Sequence, residues 1–417
     1  MGTGLQIIAY NAVMLALCAR VLMQPRLEPS ARLAWVLVIA VLPFVGILGY
    51  VLFGEIRVGR AEMRARRGAR LHVSRIYDRT APPWPDLPPW AEPVALSGQA
   101  VGGLPIADGN RLTLLRFVKK NAAYEMQGVF AENLNAPYGL ALVDGQLFVA
   151  NQDAVVRFDY VDGQTTASGP PETLTLLPSE INHHWTKAMT ASADGRFLYV
   201  GIGSNSNITE RGIAAEEDRA MVWQIDTQTG AHRPYATGLR NPTALAIQPG
   251  TGQLWAVVNE RDEIGPDLVP DYLTSVQEGA FYGWPYSYWG QTVDPRAQPQ
   301  DPEKVASAIA PDYALGSHVA ALGVSFSTPA MGADFADGVF VGEHGSWNRD
   351  DPVGYKVIFV PFQDGRPAGD PVDFVTGFLL DEGNTRGRPV GVTVDPRGAV
   401  IVADDLSNTV WRITPAS

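Results

Sequence analysis

Cysteine is nearly missing from this 417-residue chain: Cys18 stands alone, which excludes a disulfide framework and any zinc site built on thiolates. Histidine is also scarce, with six in all, so two of them side by side at His183 and His184 stand out. Lysine is absent from positions 1–80, where eleven arginines face only Glu28, Glu55, Glu62 and Asp78. The net charge is nevertheless −12, so the rest of the chain is strongly acidic and has no electrostatic basis for binding nucleic acid. No loop of the D-x-D-x-D-G-x5-E pattern occurs, which excludes an EF-hand.

What is plentiful is apolar surface and turn-forming residues. Hydrophobic residues make up 46% of the chain, with 42 glycines and 32 prolines, a balance that favours many short strands over long helices. The run Leu33 to Phe53 carries no charge and is long enough to cross a bilayer as a helix. The preceding "GLQIIAYNAVMLALCARVLM" is interrupted by Asn11 and Arg20 and fits the first leg of a helical hairpin. Arg57, Arg60, Arg64, Arg66, Arg67 and Arg70 follow directly, and the positive-inside rule keeps such a segment cytoplasmic. Six prolines then fall between positions 82 and 93, as in a stiff extended linker. The expected organisation is a transmembrane helical hairpin with a basic juxtamembrane segment at 1–80, a Pro-rich linker at 81–117 and a folded domain at 118–417.

Within that domain one pattern recurs: alternating apolar positions, a polar turn with Gly or Asp, and a second apolar strand. Copies begin near Gly139, Ala188, Ala244, Gly323 and Gly391, at uneven intervals. Strand pairs repeated in this way predict an all-β fold, a six-bladed β-propeller with unequal insertions. The strand "YEMQGVFAENL" is expected to complete the last blade and close the ring.

Residues ahead of equivalent strands in different repeats converge on the mouth of a propeller channel. His183 and His184 precede one such strand. If the stretch is extended, only one of them faces the channel, where it serves as a proton acceptor near neutral pH; the plainer reading is a pair of polar residues at a strand end. Arg240 and Asn241 hold the corresponding place in the next repeat, and Arg386 and Arg388 in the last. An i, i+2 pair of arginines on a strand points one way and suits a carboxylate or phosphate, although an isolated pair also suits a solvated edge. The acidic loop "NERDEIGPDLVPDYL" and the aromatic cluster from Phe281 to Trp289 follow the third copy. The aromatics serve equally as core or as faces on which a sugar ring or flat cofactor stacks.

Taken together, "HHWTK", "GLRNPTALA", "VVNERDEIGPDLVPDYL", "FYGWPYSYWG", "VGEHGSWNR" and "RGRPVGVTVDPRG" resemble the sorbosone dehydrogenase family, the pyrroloquinoline quinone (PQQ)-dependent relatives of soluble glucose dehydrogenase. The resemblance implies a six-bladed propeller that oxidises a sugar, polyol or sugar aldehyde, with PQQ and Ca2+ as cofactors; it leaves the electron acceptor, a quinone or a cytochrome, open. It implies His184, ten positions before Asp194, as general base. Arg240 and Asn241 then lie against the reactive carbonyl, and Arg386 and Arg388 hold the cofactor's carboxylates. Lys187 stands in the cofactor site where an arginine is common, and the backbone carbonyls of Asn259 and Glu260 bind the metal.

Residues 1 to about 115 are instead similar to the amino-terminal region of bacterial cardiolipin synthases. Those enzymes act through H-x-K-x4-D motifs, and none occurs here, so phospholipid transfer is not expected. The expected location is the inner membrane, with the family implying a periplasmic propeller and the arginine-rich segment a cytoplasmic one. Two other functions fit a propeller of this kind: a metal-dependent hydrolase of the lactonase type, and a non-catalytic binding propeller.

Overall fold

The computed structural model describes residues 104–118, 123–161, 163–380, 384–395 and 398–414, together with residues 18, 21, 35–39 and 91–92. The chain divides into two units, Met1–Pro82 and Pro83–Ser417. In the first unit Val21 and Ile39 are buried, with Cys18, Trp35 and Val36 packed on them. Most of the expected membrane hairpin lies outside the described residues. Among the described residues, no helix is long and apolar enough to cross a membrane.

The second unit is built from antiparallel sheets. Strand β1 (Ala91–Glu92) precedes a three-stranded meander, β2 to β4 (Leu104–Asp108, Arg111–Val118, Ala123–Ala131). The first blade is β5 to β8 (Gly139–Val143, Gln146–Ala150, Ala154–Asp159, Glu172–Leu176) and the second β9 to β12 (Met189–Ala191, Phe197–Ile202, Met221–Asp226, His232–Thr237). The third joins β13, β14 and β15 (Pro242–Ile247, Leu254–Val258, Pro270–Ser275) to β18 (Tyr313–Ser317). Between β15 and β18 lie a small hairpin, β16 and β17 (Ser287–Tyr288, Thr292–Val293), and helix α1 (Pro302–Ser307). The fourth blade is β19 to β23 (Ala321–Phe326, Gly338–Glu343, Lys356–Gln363, Arg366–Pro367, Val372–Val375), and the fifth is β24 to β26 (Pro389–Val394, Val400–Asp404, Thr409–Ile413) with β1 as its fourth strand.

Local sequence explains these hairpins. Between β5 and β6, Asp144 and Gly145 both adopt positive φ (46° and 74°), as a two-residue type I′ turn requires. Asp364 and Gly365 repeat this between β21 and β22 (52° and 76°). Each apolar cluster is shared by successive sheets. Phe148 and Val155 of the first blade meet Leu198, Val200 and Trp223 of the second, and Trp255 and Leu273 of the third meet Val339 and Ile358 of the fourth. Face-to-face packing of consecutive sheets is what makes the fold a propeller. The innermost strands of neighbouring blades approach closely, so a Cβ on Gly323 of β19 would lie 2.7 Å from Val392 N of β24.

Two expectations are corrected. Among the described residues there are five blades of four or five strands rather than six; the meander β2 to β4 packs on the first blade through Leu112 and Phe130. The stretch "YEMQGVFAENL" supplies β4 of that meander, and the last blade is completed instead by β1 pairing with β26, Ala91 opposite Ile413. Strands β1, β2 and nearly all of β3 fall within positions 81–117; Pro89 and Pro93 flank β1 in the sequence, and Pro105 lies within β2 opposite Leu114.

Candidate active site

The turns ahead of innermost strands are tied to the ends of second strands by backbone hydrogen bonds, both across neighbouring blades and within one. Ser204, just beyond β10, donates its N–H to Arg240 O (2.8 Å), and Asn259, just beyond β14, donates to Asn241 O (3.0 Å). Four polar residues distant in sequence are thereby set together. Gly203 is essential to the closeness: a Cβ there would lie 2.5 Å from His184 Cβ and 2.6 Å from Asn241 Oδ1. Tyr138, ahead of β5, donates its hydroxyl to Leu322 O of β19 (3.2 Å), linking the innermost strands of the first and fourth blades.

His184 is held by one edge. Its Nδ1 lies 2.9 Å from both Ser204 O and Ser204 Oγ, and that hydroxyl donates its hydrogen to Ser206 O (2.7 Å). A carbonyl only accepts and this hydroxyl has spent its hydrogen, so Nδ1 carries the proton and Nε2 presents a lone pair. Burial, then the nearby charge of Arg240, hold the imidazole well below the usual histidine range. His183 is exposed and packs edge-on against His184, with centroids 4.7 Å apart. His184 is the less exposed of the two, and the stretch is a bend rather than a strand, so strand alternation does not set their directions.

Arg240 is buried beside it. Its Nε donates to Asn207 O (3.1 Å), its Nη1 to Asn259 O (3.1 Å) and its Nη2 to Asn207 Oδ1, while the guanidinium carbon lies 5.5 Å from the centroid of the Trp284 ring. Burial lowers its affinity for its proton, and Glu260 and Asp262 oppose this. Asn241 Oδ1 and Asn259 Oδ1 are buried acceptors without a partner. This corner therefore combines a neutral base, a fixed cation with donors to spare, and open acceptors, which suits abstraction of a hydroxyl proton beside a polarised carbonyl.

Other expected residues are placed differently. Lys187 is fully buried and turns away from the histidine edge; its Nζ donates to Asn182 Oδ1 and Trp185 O, both at 2.9 Å. Arg386 and Arg388 precede β24 instead of lying on it, so the i, i+2 argument does not apply. Arg386 is half-buried, its N–H donating to Phe378 O (2.7 Å). Arg388 donates to His344 O (2.9 Å) and Gly345 O (2.6 Å) at the end of β20 and lies 5.4 Å from the Tyr355 ring centroid. The backbone carbonyl of Asn259 accepts from Arg240 Nη1 (3.1 Å), and the side chain of Glu260 is bound through Oε2 by the buried Arg261 (2.9 Å). Among the described residues no group of three His, Cys, Asp or Glu is placed to hold a metal.

The TrAA12-like family model matches residues 102–416. The chain belongs to the TrAA12-like family. Within that assignment, a protein of Borreliella burgdorferi is 25% identical over 334 residues, covering 77% of this chain and 86% of its own length. Among solved structures, Trichoderma reesei Carbohydrate-Active Enzymes Family AA12 has a TM-score of 0.64 at 19% identity, covering 78% of this chain and 96% of the other. The holo form of the pyranose dehydrogenase PQQ domain from Coprinopsis cinerea also gives 0.64, at 21% identity and coverages of 78% and 92%. The soluble aldose sugar dehydrogenase from Escherichia coli gives 0.55, at 17% identity and coverages of 76% and 93%. These three share the fold.

A second model, the phospholipase D-nuclease N-terminal region, matches residues 12–55. Cardiolipin synthase A of Pectobacterium atrosepticum is 40% identical over 70 residues, which is 17% of this chain and 14% of the synthase. The likeness thus spans about a seventh of that enzyme.

Several residues of this candidate site were not expected from sequence. Ser204 and Asn207 hold the His184 ring and the Arg240 guanidinium. His344 pairs with Asp405 (Nε2 to Oδ1, 3.0 Å), and His318 with Asp262 (Nδ1 to Oδ1, 3.1 Å). A signal was present: the second strand of each repeat ends in polar residues, at Asn151, Ser204, Asn259, His344 and Asp404, and these positions supply most of the partners.

Proposed function

We propose that this chain is a PQQ-dependent dehydrogenase that oxidises a sugar, polyol or sugar aldehyde, with His184 as the base. Membership of the TrAA12-like family and the fold shared with a holo PQQ domain support this reading. The observation that carries it is the enforced tautomer of His184 next to Arg240. PQQ, when bound, supplies the ortho-quinone that accepts hydride from the substrate carbon. The residues fit such a group: Arg240 keeps donors free for a carbonyl, Asn241 Oδ1 is an acceptor without a partner, and Arg388 and Arg386 bring cationic charge to the last blade. His184 Nε2 takes the hydroxyl proton while Ser204 keeps Nδ1 protonated and the ring in place. Ca2+ at the backbone carbonyls of Asn259 and Glu260 is part of the same proposal, with Asn259 O already accepting from Arg240 Nη1 (3.1 Å); the metal is given no step.

The N-terminal region is proposed to attach the protein to a membrane. The uncharged run Leu33 to Phe53 and the match at residues 12–55 support that reading.

The test compares His184→Ala with the parent chain, both full length and loaded with PQQ. Quinone binding should persist while quinone reduction by aldoses falls by about 10²–10⁴-fold. Reduction at the parent rate would overturn the assignment.

A further inference from the structure

The segment from Pro178 to Lys187 carries both histidines and is strained. Ile181 (φ 63°) and Asn182 (φ 48°) lie in the left-handed region, which is costly for a branched side chain and persists only where the surroundings impose it. Two buried cations lie against this segment. Lys187 Nζ donates to Asn182 Oδ1 and Trp185 O (both 2.9 Å). Arg219 donates to Pro178 O (2.7 Å), Asn182 Oδ1 (3.1 Å) and Gly203 O (2.8 Å), with a longer bond to His184 O (3.4 Å). Their acceptors are the histidine segment itself and the glycine against which His184 packs. Asn182 Oδ1, in the strained turn, accepts from both.

We propose that Lys187 and Arg219 are positioning residues that clamp the strained segment and so fix the ring of His184. This rests on the reading of His184 as base. Lys187 is therefore assigned a place beneath the site instead of in contact with the cofactor. Burial, reinforced by Arg219 and opposed by Asp153, pushes the Lys187 ammonium down to about 7. Loss of that proton leaves the clamp intact, because a neutral amine still offers two N–H groups to two acceptors. His184 itself faces Arg240, His183 and Arg219, each of which disfavours its protonation. A residue that merely filled space at position 187 would be replaced by methionine without effect on the ring.

The experiment labels histidine with 15N in the full-length chain and follows the His184 signals by NMR against pH, in the parent, in Lys187→Met and in Asn182→Ala. The parent should show a single Nδ1-protonated tautomer that titrates well below pH 6.5. Both variants should show mixed tautomers and titration shifted upward, with an unchanged circular dichroism spectrum. In the PQQ-loaded protein kcat should fall about tenfold at unchanged quinone affinity. If Lys187→Met does not fold, Asn182→Ala decides alone. An unaltered tautomer and titration in the folded variants would overturn the clamp. Altered ring signals with unaltered quinone reduction would support the clamp and overturn His184 as base.

Discussion

The proton on His184 Nδ1 is fixed by a carbonyl and a spent hydroxyl, and the ring's low proton affinity by burial next to Arg240. An imidazole held in this way gains its second proton only well below the ordinary histidine value, and the proposed base is neutral above it. The acid limb of kcat/KM should therefore fall well below pH 6.5, activity being lost as the pH drops through the depressed value; a limb at or above the ordinary histidine value would show that the ring is not so held. Glu343 is buried with one oxygen unpartnered, and burial raises its carboxyl to about 8. The folded state keeps this proton from about 4.5 to about 8 while the unfolded state has lost it, so the native protein is destabilised as pH rises across that window. Glu343→Gln should remove this loss, making the variant more stable at pH 8 by on the order of a few kcal/mol and little changed at pH 4.5, as read from urea unfolding at the two pH values. At this scale the nearness of His184, Arg240 and Asn241 was legible because each precedes an innermost strand. The partners of Lys187, Asn182 Oδ1 and Trp185 O, were not legible in "HHWTK", because the turn with positive φ at Ile181 and Asn182 that brings them to its Nζ has no local pattern.

Among the elements, hairpins were the most legible feature, since Asp-Gly between alternating apolar runs fixes both strands and register. The copies near Gly139, Ala188, Ala244, Gly323 and Gly391 match the innermost strands of the five blades. At Gly139 and Gly323 the small residue reflects the close approach of the neighbouring innermost strand, to Met189 and to Val392, not a turn. Gly323→Ala should consequently destabilise the fold by about 1–3 kcal/mol through overpacking against the backbone of β24, measurable as a lower urea midpoint with unchanged slope. An unchanged midpoint would mean that the blades slide apart to accept a methyl group. Less legible were the pre-strand stretches. Arg386 and Arg388 look like a strand pair, yet β24 begins at Pro389, and their direction is set by loop bonds to Phe378, His344 and Gly345 that no local pattern encodes.

For the whole molecule, the propeller could be read from repetition, but the blade count and the ring's closure could not. Those depend on long-range pairing: Ala91, near the start of the second unit, meets Ile413, near its end, and a strand as short as β1 amid prolines carries no periodic signal. The same assembly brings His184, Arg240, Asn241 and Asn259 from two neighbouring blades to one corner. That this corner binds PQQ and oxidises a sugar is the central claim. The most direct measurement titrates the full-length chain with PQQ, with and without Ca2+, then adds aldoses and polyols while the quinone absorbance is followed. Stoichiometric binding followed by substrate-dependent bleaching of the quinone band is the predicted result. Absence of binding under both conditions, or binding with no reduction by any member of the panel, would contradict it.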